Sequence, residues 1–295
     1  SSCNSVEELK NNLTTGEGFT PIGISASTGR FRGTFEGNNK EIRNLYINRE
    51  GIVGLFGQVW QTTINNLGIT GSVTSTNNSA GGIVGKSDGQ DYYNNCHNKA
   101  KIISNSYSGG ILGDAGNQAR EFNNCYNLGE VTGSTFTGGI AGRASGEING
   151  CYNLGNIKST GSYAGGLIGQ AVGNINVKNS YNIGNVNANV YQSAGIVSSY
   201  GNATSIICEN CYNLGEISQV GSSWVSYATA KGIGGKTITN CYNFGKIISG
   251  QTKPSVIGES TSSMTNCYYN SELSGVTQDL EGITDVKDME MQEVV

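Results

Sequence analysis

The residues best suited to metal or redox chemistry are eight cysteines and a single histidine, His97. Six thiols, Cys96, Cys125, Cys151, Cys211, Cys241 and Cys267, recur far apart, and Cys208 and Cys211 make the one Cys-x-x-Cys pair. A structural zinc site needs a second such pair or more histidine, so no metal is expected, and the pair stays open only as a local redox couple. The slot of the six thiols is also read as holding Leu45, Leu67 and Ser180, which asks for a small apolar group rather than a disulfide.

Acid–base chemistry needs gathered carboxylates. Asp88 and Asp91 share one loop, Asp114 lies one repeat further on, and Arg120 and Arg143 follow nearby. Brought together in a lateral groove, such a set serves a polysaccharide lyase, a glycoside hydrolase or a calcium site. The plainer reading makes them solvated loop acids, and the expectation is a chain without catalytic residues, cofactor or enzymatic activity. Glu130 and Glu216 hold a position that Asn156, Asn185 and Lys246 take elsewhere, as no catalytic acid would. His97 stands where a tyrosine recurs and reads as a member of a row rather than a general base.

Binding without chemistry has better candidates. Tyr126, Tyr152, Tyr181, Tyr212, Tyr242 and Tyr268 each follow the Cys slot, so strand alternation turns them outward as a stack. Rows of aromatic faces suit sugar rings, and equally shield a sheet. One repeat is longer over 218–230 and brings in Trp224 and Tyr227; an added loop on a rigid scaffold either carries binding or folds back over the rod. Threonines 74, 76, 132, 135 and 137 do not recur in register, which disfavours an ice-binding array.

The elements that position these residues are repeats. A Cys-Tyr-Asn-Leu-Gly cassette recurs at Cys96, Cys125, Cys151, Ser180, Cys211, Cys241 and Cys267, with steps of 29, 26, 29, 31, 30 and 26 residues. A Gly-Gly-Ile-Val-Gly motif interleaves at Gly81, Gly109, Gly138 and Gly165 and decays thereafter. Short Ile, Val, Ser and Thr runs bounded by Gly and Asn read as strands, and the period is too short for a propeller blade of about forty residues. The fold expected is all-β, a single-stranded right-handed parallel β-helix of about eight to nine coils with a short helical N-terminal cap. Coils stacked at roughly 4.8 Å make a rod on the order of 40 Å long.

In such a stack Asn98, Asn127, Asn153, Asn182, Asn213 and Asn243 lie above one another as an amide ladder at a corner, where Asn and the following Gly supply left-handed backbone. Val131, Ile157, Val186, Ile217 and Ile247 fill the next inward slot, and one aliphatic residue of each glycine motif packs the core. Residues 1–20 are read as the cap, from a Ser5-to-Glu8 helix-start pattern; 21–282 as the repeat domain; and 283–295 as a tail, with a short helix from about Thr284, leading to a further region.

Composition narrows the partners. Forty-five glycines without a triplet period exclude collagen, and 14% charged residues with a net charge of −4 and no basic run disfavour nucleic acid. No run is long and apolar enough for a spanning helix, so direct membrane insertion is not expected. The two ends read as those of a piece from a larger protein.

The glycine motifs, with the run Phe31-Arg32-Gly33-Thr34-Phe35-Glu36-Gly37-Asn38 leading into an apolar strand, resemble the GLUG-motif repeats of bacterial surface proteins. Glu36 stands where that pattern commonly has Asp. The resemblance covers roughly residues 19 to 285. It implies a secreted or wall-attached module of the kind found in adhesins and in the non-catalytic parts of immunoglobulin A-cleaving metallopeptidases. It supplies no activity, and the chain has no His-Glu-x-x-His motif. The partners it points to are a glycan or a host surface protein, together with the rest of the parent protein.

Overall fold

The computed structural model describes residues 16–24, 29–116, 118–198, 205–221, 229–250, 254–258 and 261–286. One coil shows the plan: Leu112–Asp114, Arg120–Asn123, Tyr126–Asn127, Val131–Gly133 and Phe136–Gly138 are short strands separated by corners. The next coil lies on it in register and parallel, with Phe122 opposite Ile148, Tyr126 opposite Tyr152, Val131 opposite Ile157 and Phe136 opposite Tyr163. A 25-stranded sheet and a seven-stranded sheet follow the stack along its length. The chain is a parallel β-solenoid of about eight turns, the steps running Lys40, Leu67, Cys96, Cys125, Cys151, Ser180, Cys211, Cys241, Cys267.

Two motifs interlock across the interior. Asn98 Nδ2 donates to Asn127 Oδ1 at 2.7 Å, and the same bond links Asn127 to Asn153, Asn153 to Asn182, Asn182 to Asn213 and Asn213 to Asn243 at 2.7–2.8 Å. Each Nδ2 also donates to the carbonyl two residues ahead, so the amides are fully buried and those from Asn98 to Asn213 use both hydrogens. The second glycine of each motif faces this ladder. A Cβ on Gly139 would lie 2.6 Å from Asn153 Oδ1 and 2.2 Å from Gly166 O, so the site admits only glycine.

Several local expectations are corrected. The left-handed backbone belongs to the asparagine before the Cys slot, at Asn66, Asn95, Asn124, Asn179, Asn210, Asn240 and Asn266, with Gly150 taking the remaining level. Both aliphatic residues of each glycine motif are buried, Ile111 with Leu112 and Ile140 with Ala141. The chain passes there from one sheet to the other, and the turn directs consecutive side chains inward. Leu45 does not share the Cys slot. Bulges between Glu36 and Lys40 and between Ile42 and Leu45 place Lys40 opposite Leu67 and Leu45 opposite Gly71.

The Cys slot also does more than fill space. The sulfurs of Cys96, Cys125, Cys211 and Cys267 lie 3.3–3.5 Å from carbonyl oxygens of Ile64, Tyr93, Val177 and Ile238 in the coil below. The Ser180 hydroxyl donates to its own Lys178 O and accepts the Cys151 N–H at 3.0 Å.

At the lower end, residues 17–23 lie against the first coils, with Phe19 N bonded to Tyr46 O and Ile22 N to Leu55 O. The helix expected over 5–13 lies outside the described residues. At the upper end a one-turn helix, Ser271–Ser274, is capped by the Asn270 side chain. Ile283–Asp285 then joins Cys267–Tyr269 as a parallel strand, so Thr284 is in a strand rather than a helix; residues 287–295 lie outside the described residues. Gln278 stands in for a further strand: its Oε1 accepts Val256 N at 2.7 Å and its Nε2 donates to Ile257 O at 2.8 Å, occupying the edge.

Replacing Asn153 with alanine strips partners from Asn127 and Asn182 at once. The expected loss is about 1–3 kcal/mol for each buried polar group left unsatisfied. Leu154→Ala, on the outer face of the next position, should stay within about 0.5–1 kcal/mol of the parent. Urea unfolding followed by circular dichroism compares the two.

Candidate functional site

Register brings the candidate acids and bases together in ion pairs. Asp91 and Arg120 lie directly opposite each other on neighbouring coils, both fully buried. Arg120 Nε sits 4.0 Å from Asp91 Oδ2 and donates to Ser87 Oγ at 2.6 Å, while its Nη2 donates to Ser87 O at 2.6 Å. Asp91 accepts the Thr62 N–H at 2.6 Å and the Ser87 hydroxyl. Burial pushes the Asp91 carboxyl above its usual range and pulls the Arg120 guanidinium down. Arg143 Nε holds Asp114 at 2.7 Å, and Arg30 and Lys86 both hold Asp88 at 2.9 Å.

The reading of these as solvated loop acids is therefore corrected for Asp91 and Asp114, which are 0% and 4% exposed. A cation one coil away stands over each, and the pair closes inward. All three acids converge on one side of the solenoid, each already engaged by a base. Among the described residues no group of three or more His, Cys, Asp or Glu side chains is placed to hold a metal ion.

The Cys-x-x-Cys pair does not come together either. Cys208 and Cys211 are free, buried thiols directed at different carbonyls, Gly234 O and Val177 O. Burial drives the Cys208 thiol far above its usual range, which removes the thiolate that exchange chemistry requires.

The tyrosines form the expected column. His97, Tyr126, Tyr152, Tyr181, Tyr212 and Tyr242 stack with ring centroids 4.7–4.9 Å apart and planes within 3° of parallel. That spacing is the distance between paired strands, so the rings inherit it from the backbone. It also covers the faces of the inner rings: Tyr126, Tyr152, Tyr181 and Tyr212 each lie between two stacked neighbours and offer solvent only an edge and a hydroxyl. Flat stacking of a sugar on these faces, the sequence-based picture, has no room inside the column. Tyr268 continues the register opposite Tyr242. Trp224 and Tyr227 lie outside the described residues.

At the foot of the column Gly68 takes the ring position, and His97 leans over it. There His97 Nε2 meets Glu41 Oε1 at 2.9 Å, and Lys99 Nζ binds the same oxygen. Lys99 foremost, then His97, hold the Glu41 carboxyl down at about 2. Beside this cluster runs a groove of 310 Å³ lined by Asn39, Asn66, Asn95, His97, Asn124 and Tyr126.

Three features escaped the sequence reading. A second aromatic column, Tyr107, Phe136, Tyr163 and Tyr191, has ring centroids 5.1–5.6 Å apart, with Tyr163 buried and Arg143 over Tyr107. Its signal is an aromatic residue two positions before Gly109, Gly138 and Gly165. The guanidinium groups of Arg30 and Arg32 lie over the Trp60 ring at 4.9 and 5.4 Å, a contact without periodic signal. An exposed ladder links the left-handed asparagines, Asn95 to Asn66 at 2.9 Å and Asn240 to Asn210 at 3.1 Å, and its signal is the asparagine before each Cys slot.

No protein-family model matches the chain. Halomucin of Haloquadratum walsbyi is 42% identical to it over 159 residues, a stretch that covers 52% of this chain and 2% of halomucin. The chain thus spans a small fraction of that relative's length. A crystal structure from Bacteroides ovatus, of a protein provisionally described as an immunoglobulin A1 protease, aligns with a TM-score of 0.48 at 18% identity over 90% of this chain and 70% of that one. Among the described residues no helix is long and apolar enough to cross a membrane.

Two measurements follow. Burial first, and then the neighbouring phenols Tyr242 and Tyr181, push Tyr212 from 10 up to about 12. The unfolded chain therefore releases this proton first, and stability should fall as pH rises from about 10 towards about 12; tyrosinate absorbance recorded with thermal unfolding checks it. Arg120→Ala should cost about 3–5 kcal/mol by leaving Asp91 charged and buried, and Arg120→Ala with Asp91→Asn should recover part of that in the same unfolding assay.

Proposed function

We propose that this chain is a non-catalytic, extracellular repeat module of a larger cell-surface protein of the GLUG-motif kind. It acts as a rigid spacer and adhesive scaffold, presenting a lateral face to a glycan or to a host surface protein. The observation that carries this reading is the unbroken buried amide ladder from Asn98 to Asn243, which makes the solenoid one stiff body. A surface ordered in advance loses little conformational entropy when a ligand settles on it. The match to a short stretch of halomucin supports a module set within a longer protein. Net acidity with no basic run argues against nucleic acid as partner.

The rival reading, a β-helix lyase or glycoside hydrolase, draws on the convergence of Asp88, Asp91 and Asp114. Each of them is engaged by a cation, which supports a structural role.

The test couples a glycan array with a degradation assay on the full chain. The module reading expects array signals lost in Trp224→Ala or Tyr227→Ala, or in variants of the tyrosine column, with no release of new chain ends from polysaccharide. Release of unsaturated or reducing ends, abolished by Asp88→Asn or Asp114→Asn, would establish the enzyme instead.

A further inference from the structure

Three parallel columns share one outer face of the solenoid, spaced two residues apart in sequence. The first is the exposed asparagine ladder: Asn66, Asn95 and Asn124, a break at Gly150, then Asn179, Asn210, Asn240 and Asn266. The second is the ring column from His97 to Tyr242. The third is aliphatic: Leu128, Leu154 and Ile183 are 38%, 42% and 43% exposed, an unusual accumulation of apolar side chains on adjacent levels. The 310 Å³ groove lies between the first two columns at the lower levels.

The chemistry offered is similar from Asn124 upward, save that Gly150 brings no amide, while at the foot His97 and Lys99 replace the tyrosine and the aliphatic residue. A ladder amide spends one N–H and one lone pair on its neighbours and keeps the other N–H and lone pair for solvent. The tyrosine rings from Tyr126 to Tyr212, covered on both faces, contribute phenol hydroxyls and edges. The aliphatic side chains contribute apolar surface. None of the three columns carries a formal charge except where His97 meets Glu41 and Lys99 at the foot.

We propose that this face binds an uncharged, linear polysaccharide laid parallel to the solenoid axis, one sugar ring to each coil. The amide ladder would bind its hydroxyls, and the aliphatic column would cover the C–H side of its rings. The proposal rests on the glycan-binding reading above and names the surface, the direction and the ligand class.

Period decides the class of polymer. The donor and acceptor pattern repeats every 4.7–4.9 Å, the spacing of the rings. An extended peptide advances about 3.2–3.4 Å per residue and falls out of step within two levels. A pyranose ring with its bridging oxygen has nearly the length of one coil step. Hydroxyls both donate and accept, as the free half of each amide requires. The lack of charge along the columns favours a neutral polymer over a uronate-bearing one, for which a line of arginine or lysine is the expected partner.

Affinity electrophoresis of the full chain in gels containing hydroxyethylcellulose, dextran or alginate tests this, with retention on chitin beads as a second probe. The expected result is retardation by hydroxyethylcellulose and chitin, unchanged by added salt, and none by dextran, whose linkage does not extend the chain. Asn95→Gly with Asn124→Gly removes two amides while keeping the left-handed corners that glycine accepts, as Gly150 already does. That variant should bind about tenfold more weakly at an unchanged melting temperature, and Leu154→Gln should weaken binding without affecting the fold.

Equal retardation of parent and both variants would overturn the proposal, as would retardation by alginate alone. Concentration-dependent dimers in sedimentation, abolished by Leu154→Gln, would assign the face to a second copy of the chain instead. Array binding lost only in Trp224→Ala would leave the glycan-binding module standing and remove this surface from it.

Discussion

Everything in this molecule depends on like residues lying in register from coil to coil, and the buried asparagine amides enforce that register. A slip of one residue would turn the amide outward and leave its neighbours with unmet hydrogen-bonding groups in a dry interior. The glycine opposite each amide makes the fit one-sided, since any Cβ there would collide with Asn side chain or backbone. Asparagine and glycine are thus two halves of one contact, which is why both motifs keep the same period.

Once register holds, other interactions follow at the same spacing. Thiols reach carbonyls of the coil below, left-handed asparagines bond to one another at the outer corner, and tyrosine rings stack at the strand distance. Charges obey the same rule. Arg120 above Asp91 and Arg143 above Asp114 neutralise carboxylates that isolated loops would have left in water. Where the lower coils depart from the repeat, bulges and residues 17–23 close the stack; at the top, Gln278 does so.

A scaffold of this kind separates rigidity from recognition. The interior fixes a lattice of outward positions one coil step apart, and substitutions at those positions leave the ladder untouched. A partner that repeats at the coil step meets similar groups at successive levels, so weak contacts add along the axis. A compact ligand meets only one or two levels. Stiff spacing and extended, low-charge binding are therefore compatible uses of one surface.

The periodic residues by themselves determined the architecture: cassettes twenty-six to thirty-one residues apart can bury their apolar side only by stacking, and their cysteines and asparagines take inward positions by strand alternation. The outward tyrosine column was legible for the same reason. What periodicity could not decide was anything set by the exact path around a corner. Leu45 mimics the cassette in sequence yet is displaced by two bulges, and the left-handed turn falls on the residue before the Cys slot rather than after it. The burial of Asp91 with Arg120 was likewise invisible, because their pairing needs residues 29 apart to occupy the same point on successive coils. Local sequence carries the preference of each residue for strand, turn or core; only the closed stack specifies which side chain stands above which, and so which charges meet and which ring faces are lost to solvent.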